Sequence, residues 1–243
     1  MRFIKKKKIE SKDEMADFGL HKFVLNEIKG LNMSKDSNIL ILGVGKGNLD
    51  KILIKEGFNN IVSIDINKED YDVKGTKFIK FDLNNDFNFD NKKYDLIIAT
   101  ELIEHLYSTR NFLKNIKNKL SDDGFAIITT PNILRKMSRV NFIFTGYLSS
   151  FNKRAFNWGH INPIFPHIFK YYLNKLNFNI IKETYNRKDF DHLVIYSWKS
   201  YPYYFAMWII SNLIKLVTFN NSYIEGVINL FIYFKEELKC QIY

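Results

Sequence analysis

The sequence has few of the residues that mark secreted, multidomain or membrane-spanning proteins. Cys240 is its single cysteine, which excludes an internal disulfide and predicts a reducing compartment such as the cytosol. Only four prolines occur, and no proline- or serine-rich linker or internal repeat interrupts the chain. With 46% hydrophobic and 16% aromatic residues, the sequence predicts one globular domain over residues 1–243.

Long apolar runs are also absent. The most apolar segment, 202–219, is short for a membrane span and contains Asn212 and Lys215. It predicts a helix that either packs on the sheet or lies in a membrane interface as a peripheral contact. A lysine cluster at 5–8 has no apolar stretch after it, so no secretory signal is expected. We therefore expect a cytoplasmic protein, with membrane association left open.

The formal charge of +10 raises the question of an anionic partner. The lysines are scattered among acidic residues, so we interpret the charge as compositional bias. No separate RNA-binding module or basic-aromatic platform for single strands is visible, which makes a nucleic-acid partner the less favoured alternative.

Hydrophobic patterning predicts alternating strands and helices, and hence a mostly parallel sheet covered by helices on both faces. A turn is expected at 121–124, an irregular aromatic cap at 133–165 and apolar helices at 200–235, including an amphipathic stretch at 224–234. The predicted strands cover 38–42, 61–65, 76–81, 94–99, 125–129 and 178–184, with a closing edge strand at 237–243. The predicted helices cover 14–29, 47–57, 106–120 and 168–176.

One motif stands at the end of the first strand. An apolar run at 38–42 ends in Gly43, Gly45 and Gly47, which predicts a strand-to-helix turn whose backbone N–H groups approach a ligand closely. Asp65 ends the next strand and suits the binding of ribose hydroxyls. A dinucleotide-binding turn would need a glycine at position 48, where Asn48 stands, and this disfavours a dinucleotide oxidoreductase.

The G-x-G-x-G turn resembles the first motif of class I S-adenosylmethionine-dependent methyltransferases, and the resemblance covers most of residues 35–185. It implies a Rossmann-like, seven-stranded, mostly parallel sheet with an antiparallel last strand, and S-adenosylmethionine as cofactor. It also implies that Asp65 binds the ribose hydroxyls and that Asp82 reaches the adenine amino group. The alternative is that Asp65 caps a helix and Asp82 forms a turn. The implied cofactor-binding residues are Gly43, Gly45, Gly47, Asp65, Asp82, Leu83 and Thr100.

A second motif, Glu101-Leu-Ile-Glu104-His105, follows the fourth strand. If a helix begins there, its two carboxylates and its imidazole share one face and make half a shell for a divalent cation. His160, in the cap, is the candidate fourth ligand. The arrangement resembles two metal-dependent O-methyltransferase groups, one acting in ubiquinone synthesis and one on the terminal ribose of small RNAs. Magnesium or zinc is the expected metal. Without a metal, His160 or Glu101 would act as general base.

These motifs favour an enzyme that transfers a methyl group to a hydroxyl oxygen. The expected acceptor is a small molecule, a glycan or a lipid-linked compound. An RNA ribose 2′-O-methyltransferase and a non-catalytic cofactor-binding protein are the alternatives. Acceptor identity is expected to depend on the cap and the C-terminal segments, which carry no recognisable motif.

Overall fold

The computed structural model describes residues 19–185, the strand at 228–235 and five helical positions, 205, 206, 209, 210 and 213. The strands are Ile39–Leu42 (β1), Ile61–Asp65 (β2), Lys77–Lys80 (β3), Tyr94–Thr100 (β4), Leu120–Pro131 (β5), Phe178–Tyr185 (β6) and Ile228–Lys235 (β7). They form one sheet in the order β3-β2-β1-β4-β5-β7-β6. Strands β1 to β5 are parallel to one another, and β7 runs antiparallel between β5 and β6.

Helices cover both faces of this sheet, as the Rossmann-like α/β prediction requires. They are Leu20–Gly30 (α1), Asn48–Lys55 (α2), Thr109–Lys119 (α3), Lys136–Thr145 (α4), Lys153–Phe156 (α5) and Pro166–Lys175 (α6).

Alternate residues of β1 point to opposite faces, so Ile39 and Ile41 pack with α1 and α2 while Leu40 and Leu42 pack with α3 and α6. All four β1 side chains are buried, which explains why the strand is an unbroken apolar run.

The predicted C-terminal helices are wrong at 228–235, where the chain forms β7. The segment Ile-Asn-Leu-Phe-Ile-Tyr-Phe-Lys is rich in β-branched and aromatic residues, and its pairing with both β5 and β6 decides its conformation. Among the described strands β6 therefore lies at the sheet edge. The predicted edge strand at 237–243 and most of the predicted helix at 202–219 lie outside the described residues, as do Cys240 and the lysines at 5–8.

Two further predictions need correction. The predicted turn at 121–124 lies inside β5, where the pairing passes from Tyr94↔Leu120 to Leu96↔Phe125 and the intervening residues bulge. Asp95 stabilises this irregularity by accepting hydrogen bonds from the Ser121 hydroxyl (3.1 Å) and the Asn38 N–H (2.8 Å). The cap at 133–165 is not irregular throughout, because it contains α4 and α5.

None of the helices within the described residues is both long enough and apolar enough to cross a membrane. The predicted interfacial helix at 202–219 is described at five positions only, all helical. Phe205, Ile209 and Leu213 are among them, and each is more than 40% exposed.

A nearly buried ion pair joins the end of α3 to the loop before β4. Lys119 Nζ lies 2.8 Å from Asp90 Oδ1 and 4.6 Å from the centre of the Phe89 ring. The Lys119 and Asp90 side chains are only 7% and 13% exposed. Burial alone would raise the pKa of Asp90, but hydrogen bonds from Lys119 and Tyr94 outweigh it and hold that pKa below its ordinary value.

We predict that Lys119→Met lowers the free energy of unfolding by about 3 kcal/mol, because it leaves the Asp90 carboxylate buried without its cation. Lys93→Met is the control: Lys93 is exposed and donates to the Asn118 carbonyl, so its loss should cost under about 0.5 kcal/mol. Urea unfolding of both variants measures the difference. Equal losses would contradict a structural role for the buried pair.

Candidate functional site

The glycine turn after β1 adopts a backbone that L side chains rarely occupy. Gly43, Gly45 and Gly47 have φ values of 70°, 51° and 73°. Gly47 also precedes the first residue of α2, so the turn places the N-terminus of this helix at the edge of the sheet. A β-carbon on Gly43 would lie 2.9 Å from Leu102 Cδ1, which shows how closely the turn meets the segment after β4.

Asp65 is attached to this turn. Its Oδ2 accepts a hydrogen bond from the Gly45 N–H (2.9 Å), and its Oδ1 accepts one from the Asn67 N–H (3.0 Å). The predicted partners of the first motif are therefore in contact, at the ends of the neighbouring strands β1 and β2. Ile66, the next residue, is 52% exposed and presents an apolar surface beside the carboxylate.

Asp82 and Leu83 follow β3 at the same edge. Asp82 Oδ1 accepts hydrogen bonds from the Asn84 N–H (2.9 Å) and the Asn84 side-chain amide (3.0 Å), so the turn role considered for Asp82 is present. The Leu83 side chain is buried in the core, 6% exposed. Any contact of Leu83 with a ligand would therefore involve its backbone.

Sequence reasoning missed a polar network behind the glycine turn. Asp50, fully buried in the first turn of α2, accepts hydrogen bonds at Oδ1 from the Ser63 hydroxyl and from the Tyr71 hydroxyl (2.8 Å). Burial raises the pKa of Asp50. Tyr71 and Val73 cover Gly47, where a β-carbon would lie 2.3 Å from Val73 Cγ2. No motif marks these residues; an acid three positions after Gly47 is the one local signal.

The second motif does not begin with a helix, so the condition under which Glu101 would share a helical face with Glu104 and His105 is not met. Glu101 has a left-handed backbone (φ 48°), and only the three-residue 3₁₀ helix Ile103–His105 follows before α3 begins at Thr109. Ser108 caps α3 by accepting a hydrogen bond from the Asn111 N–H, which fixes this later start.

Hydrogen bonds join Glu101, with its left-handed backbone, to β5. Thr129 Oγ1 donates to Glu101 Oε1 (3.2 Å), and the Glu101 N–H donates to the Thr129 carbonyl and hydroxyl. Thr100, the last residue of β4, pairs with the same threonine. Glu101 is thus not part of the cluster formed by the other three predicted ligands.

Those three ligands, Glu104, His105 and His160, do lie together. One ligand atom of each lies within 4.8 Å of the others, and the two imidazole centroids are 4.6 Å apart. Glu104 is fully buried: Thr130 Oγ1 donates to its Oε2 (3.2 Å), while its Oε1 has no hydrogen-bond partner among the described residues. Burial raises the pKa of Glu104 to about 8.

Main-chain contacts hold the cap at this cluster. The N–H groups of Ile161 and Asn162 donate to the Glu104 carbonyl at 3.0 and 2.9 Å. His160 Nδ1 lies 2.9 Å from the Ser150 carbonyl, so a proton there leaves Nε2 with its lone pair. Burial lowers the pKa of His105, as does the nearby His160, and burial also lowers the pKa of His160. Both shifts favour neutral imidazoles that can accept a proton or bind a metal.

The remaining histidines are not part of this cluster. His21 belongs to α1 and His167 to the first turn of α6, while His192 lies outside the described residues.

A glycine turn and an acid at the ends of adjacent parallel strands are typical of Rossmann-like folds that bind nucleotide cofactors. A model of the methyltransferase domain family matches residues 19–183, most of the 243 residues. The chain belongs to this family.

Curated relatives resemble part of this chain in sequence, and solved structures resemble it in fold. The ubiquinone biosynthesis O-methyltransferase of Rickettsia bellii (strain OSU 85-389) is 29% identical over 139 residues, covering 52% of this chain and 55% of the relative. The chain thus spans about half the length of the curated relatives it matches. A methyltransferase from Archaeoglobus fulgidus has a TM-score of 0.58 at 18% identity, covering 88% of this chain and 94% of its own.

A further structure was solved with a product of the cofactor. It is an N-methyltransferase from Bradyrhizobium japonicum WM9 in complex with S-adenosylhomocysteine, with a TM-score of 0.54 at 13% identity, covering 93% of this chain and 90% of its own. At these identities the two structures show the fold alone.

We predict that Gly47→Ala destabilises the turn more than its backbone angle alone requires. Gly146 has the same φ of 73° with no atom within 4 Å of an added β-carbon, so Gly146→Ala should cost only about 1–2 kcal/mol of backbone strain. Gly47→Ala adds the clash with Val73 and Tyr71. It should therefore unfold at lower urea and bind S-adenosylhomocysteine more weakly, whereas Gly146→Ala should keep wild-type affinity. If the two variants unfolded at the same urea concentration and bound S-adenosylhomocysteine equally well, the predicted clash at Gly47 and its effect on cofactor binding would be contradicted.

Proposed function

We propose that this enzyme transfers the methyl group of S-adenosylmethionine to a hydroxyl oxygen of a small-molecule, glycan or lipid-linked acceptor. The observation that carries the proposal is the cluster of Glu104, His105 and His160. Glu104 follows two residues after Leu102, whose side chain lies where a β-carbon on Gly43 would be. A hydroxyl is a weak nucleophile until its proton leaves, and this cluster supplies basic groups beside the turn. The curated relatives are O-methyltransferases by name, which supports an oxygen acceptor.

The cofactor would lie across the strand ends at the glycine turn. We propose that Gly43, Gly45 and Gly47 pass beneath its methionine part and that Asp65 receives the ribose hydroxyls. The exposed side chain of Ile66 would offer the adenine ring an apolar surface. Asp82, the Leu83 backbone and Thr100 complete the proposed cofactor site.

We predict that Asp65→Ala weakens S-adenosylhomocysteine binding by about 1.5–3 kcal/mol, roughly 10- to 150-fold, as expected for a lost hydrogen bond to a charged group. The variant also frees the Gly45 N–H, so its fold is checked by thermal unfolding. Asp36→Ala is the control, because Asp36 is exposed and precedes β1 at the opposite edge of the sheet. Calorimetric titration decides, and unchanged affinity in Asp65→Ala would place the ribose elsewhere.

The donor set at the cluster fits a divalent cation. Glu104 Oε1 is a buried carboxylate oxygen without a partner among the described residues, and the Ser150 carbonyl orients His160 as backbone carbonyls orient metal-binding imidazoles. One oxygen with two nitrogens favours zinc, manganese or iron over magnesium. Glu104, His105 and His160 would hold the ion, and Glu101 would not.

A bound cation would lower the pKa of the acceptor hydroxyl. Without a cation, His160, fixed through Nδ1, presents the lone pair of Nε2 to take the hydroxyl proton. In either case Thr130 holds the Glu104 carboxylate by donating a hydrogen bond to its Oε2. The cap segment bonded to the Glu104 carbonyl keeps water from this group.

We predict that Glu104→Gln lowers the affinity for Zn²⁺ or Mn²⁺ at least about tenfold, in line with loss of a metal ligand. Glu101→Gln is the matched control and should lower it less than about threefold, because Glu101 bonds Thr129 outside the cluster. Metal titration followed by calorimetry measures both, with S-adenosylhomocysteine binding as the folding check. If the two variants lost equal affinity, or if the wild type bound no metal, His160 would remain as a metal-free general base.

A further inference from the structure

A polar network behind the glycine turn joins three elements of the fold. Asp50 of α2 is fully buried, and its Oδ1 accepts hydrogen bonds from the Ser63 hydroxyl of β2 and from the Tyr71 hydroxyl (2.8 Å). The Thr76 hydroxyl lies within hydrogen-bond distance of the Tyr71 hydroxyl. Tyr71 and Thr76 belong to residues 66–76, which we call the β2–β3 loop. None of these four side chains is among the proposed ligands of the cofactor or the metal.

The carboxylate at the centre of this network is costly to bury. Burial raises the pKa of Asp50, and its Oδ2 has no hydrogen-bond partner among the described residues. An apolar residue of similar size would avoid this desolvation, so packing alone does not account for an acid here. Burial also raises the pKa of Tyr71 to about 12, so Tyr71 keeps the proton that it donates to Asp50. The acid supplies one acceptor for hydroxyls on two separate elements.

The β2–β3 loop packs directly on the glycine turn. A β-carbon on Gly47 would lie 2.8 Å from Tyr71 Cε2 and 2.3 Å from Val73 Cγ2. Further along the loop, a β-carbon on Gly75 would lie 3.6 Å from Cδ1 of Ile54, in the last turn of α2. The loop therefore follows α2 along its length, with the Tyr71 ring against the turn.

The same network reaches the proposed ribose site. Ser63 lies two residues before Asp65 in β2, and Asp65 Oδ2 accepts a hydrogen bond from the Gly45 N–H (2.9 Å). Asp50 lies three residues after Gly47, in the first turn of α2. One buried carboxylate is thus joined to both parts of the proposed cofactor site, the glycine turn and the acid that ends β2.

We propose that Asp50 and Tyr71 are positioning residues that hold the glycine turn and the end of β2 in the geometry that binds the cofactor. This inference rests on the cofactor site proposed above. A turn that is already held in its binding geometry loses less conformational entropy when a ligand binds. Without the Tyr71 hydroxyl, the binding-competent fraction falls, and the apparent affinity falls by the same factor.

Tyr71→Phe tests the proposal, because it removes the hydroxyl and keeps the ring that covers Gly47. We expect calorimetry to give an affinity for S-adenosylhomocysteine about five- to tenfold below that of the wild type.

Hydrogen exchange tests the positioning without any ligand. The N–H groups of Gly43 and Val44 donate to the Ile64 carbonyl, and that of Gly47 donates to the Val44 carbonyl. These amides exchange when the turn opens, so in Tyr71→Phe the segment 43–47 should exchange at least about fivefold faster than in the wild type.

Tyr94→Phe is the matched control. The Tyr94 hydroxyl also donates to a carboxylate, that of Asp90, and burial raises the pKa of Tyr94 as well. Tyr94 begins β4, at the edge of the sheet opposite to the glycine turn. Thermal unfolding should show both variants to be less stable than the wild type. Tyr94→Phe should nevertheless keep wild-type affinity and wild-type exchange at 43–47.

A second substitution tests whether Tyr71 acts through Asp50. Asp50→Ala removes the acceptor that Tyr71 and Ser63 share. Adding Tyr71→Phe to Asp50→Ala should therefore lower the affinity by less than about twofold further, since the two residues belong to one network.

The proposal is overturned if Tyr71→Phe binds S-adenosylhomocysteine as tightly as the wild type, or if Tyr94→Phe loses as much affinity. It is also overturned if Tyr71→Phe has its full effect in the Asp50→Ala background. A wild type that bound no S-adenosylhomocysteine would instead contradict the proposed cofactor site. Unchanged exchange at 43–47 in Tyr71→Phe would then contradict the positioning role by itself.

Discussion

The site depends on the parallel pairing of β1 with β2 on one side and β4 on the other. Ile39–Leu42 pairs with residues of both strands in one continuous register. Because all three strands run the same way, their C-terminal ends meet at one edge, where backbone turns leave the sheet. Gly43 and Glu101 directly follow β1 and β4, and Asp65 is the last residue of β2. A slip of one residue would turn every buried β1 side chain to the other face, so the apolar core fixes the geometry of the site.

Two buried acids at this edge show how one physical situation supports different roles. Asp50 and Glu104 are both fully buried, and burial raises the pKa of each. Each also leaves one carboxylate oxygen without a partner among the described residues. Asp50 is enclosed by α2, β2 and the Tyr71 hydroxyl, so it holds a loop against Gly47. Glu104 instead lies beside two imidazoles, where an acceptor or a cation can use its remaining oxygen.

The cap is joined to the core by main-chain hydrogen bonds more than by sequence-specific side chains. The Glu104 carbonyl accepts from two consecutive cap N–H groups, and the Ser150 carbonyl orients His160. Backbone contacts tolerate substitution, so this arrangement can keep the catalytic geometry while the outer surface of the cap changes. That division suits a fold in which cofactor chemistry is retained and acceptor choice varies.

Sequence alone determined what depends on neighbours in the chain: the apolar runs of β1, β2 and β4, the glycine turn and the acid that ends β2. It also indicated His160 as a partner of Glu104 and His105. Tertiary structure decided the rest. Pairing with β5 and β6 made a strand of 228–235. Glu101 hydrogen-bonds Thr129 of β5, and the three clustered side chains are Glu104, His105 and His160. Tyr71 met Asp50 across 21 positions. Such contacts join residues distant in sequence, and local periodicity carries no information about them.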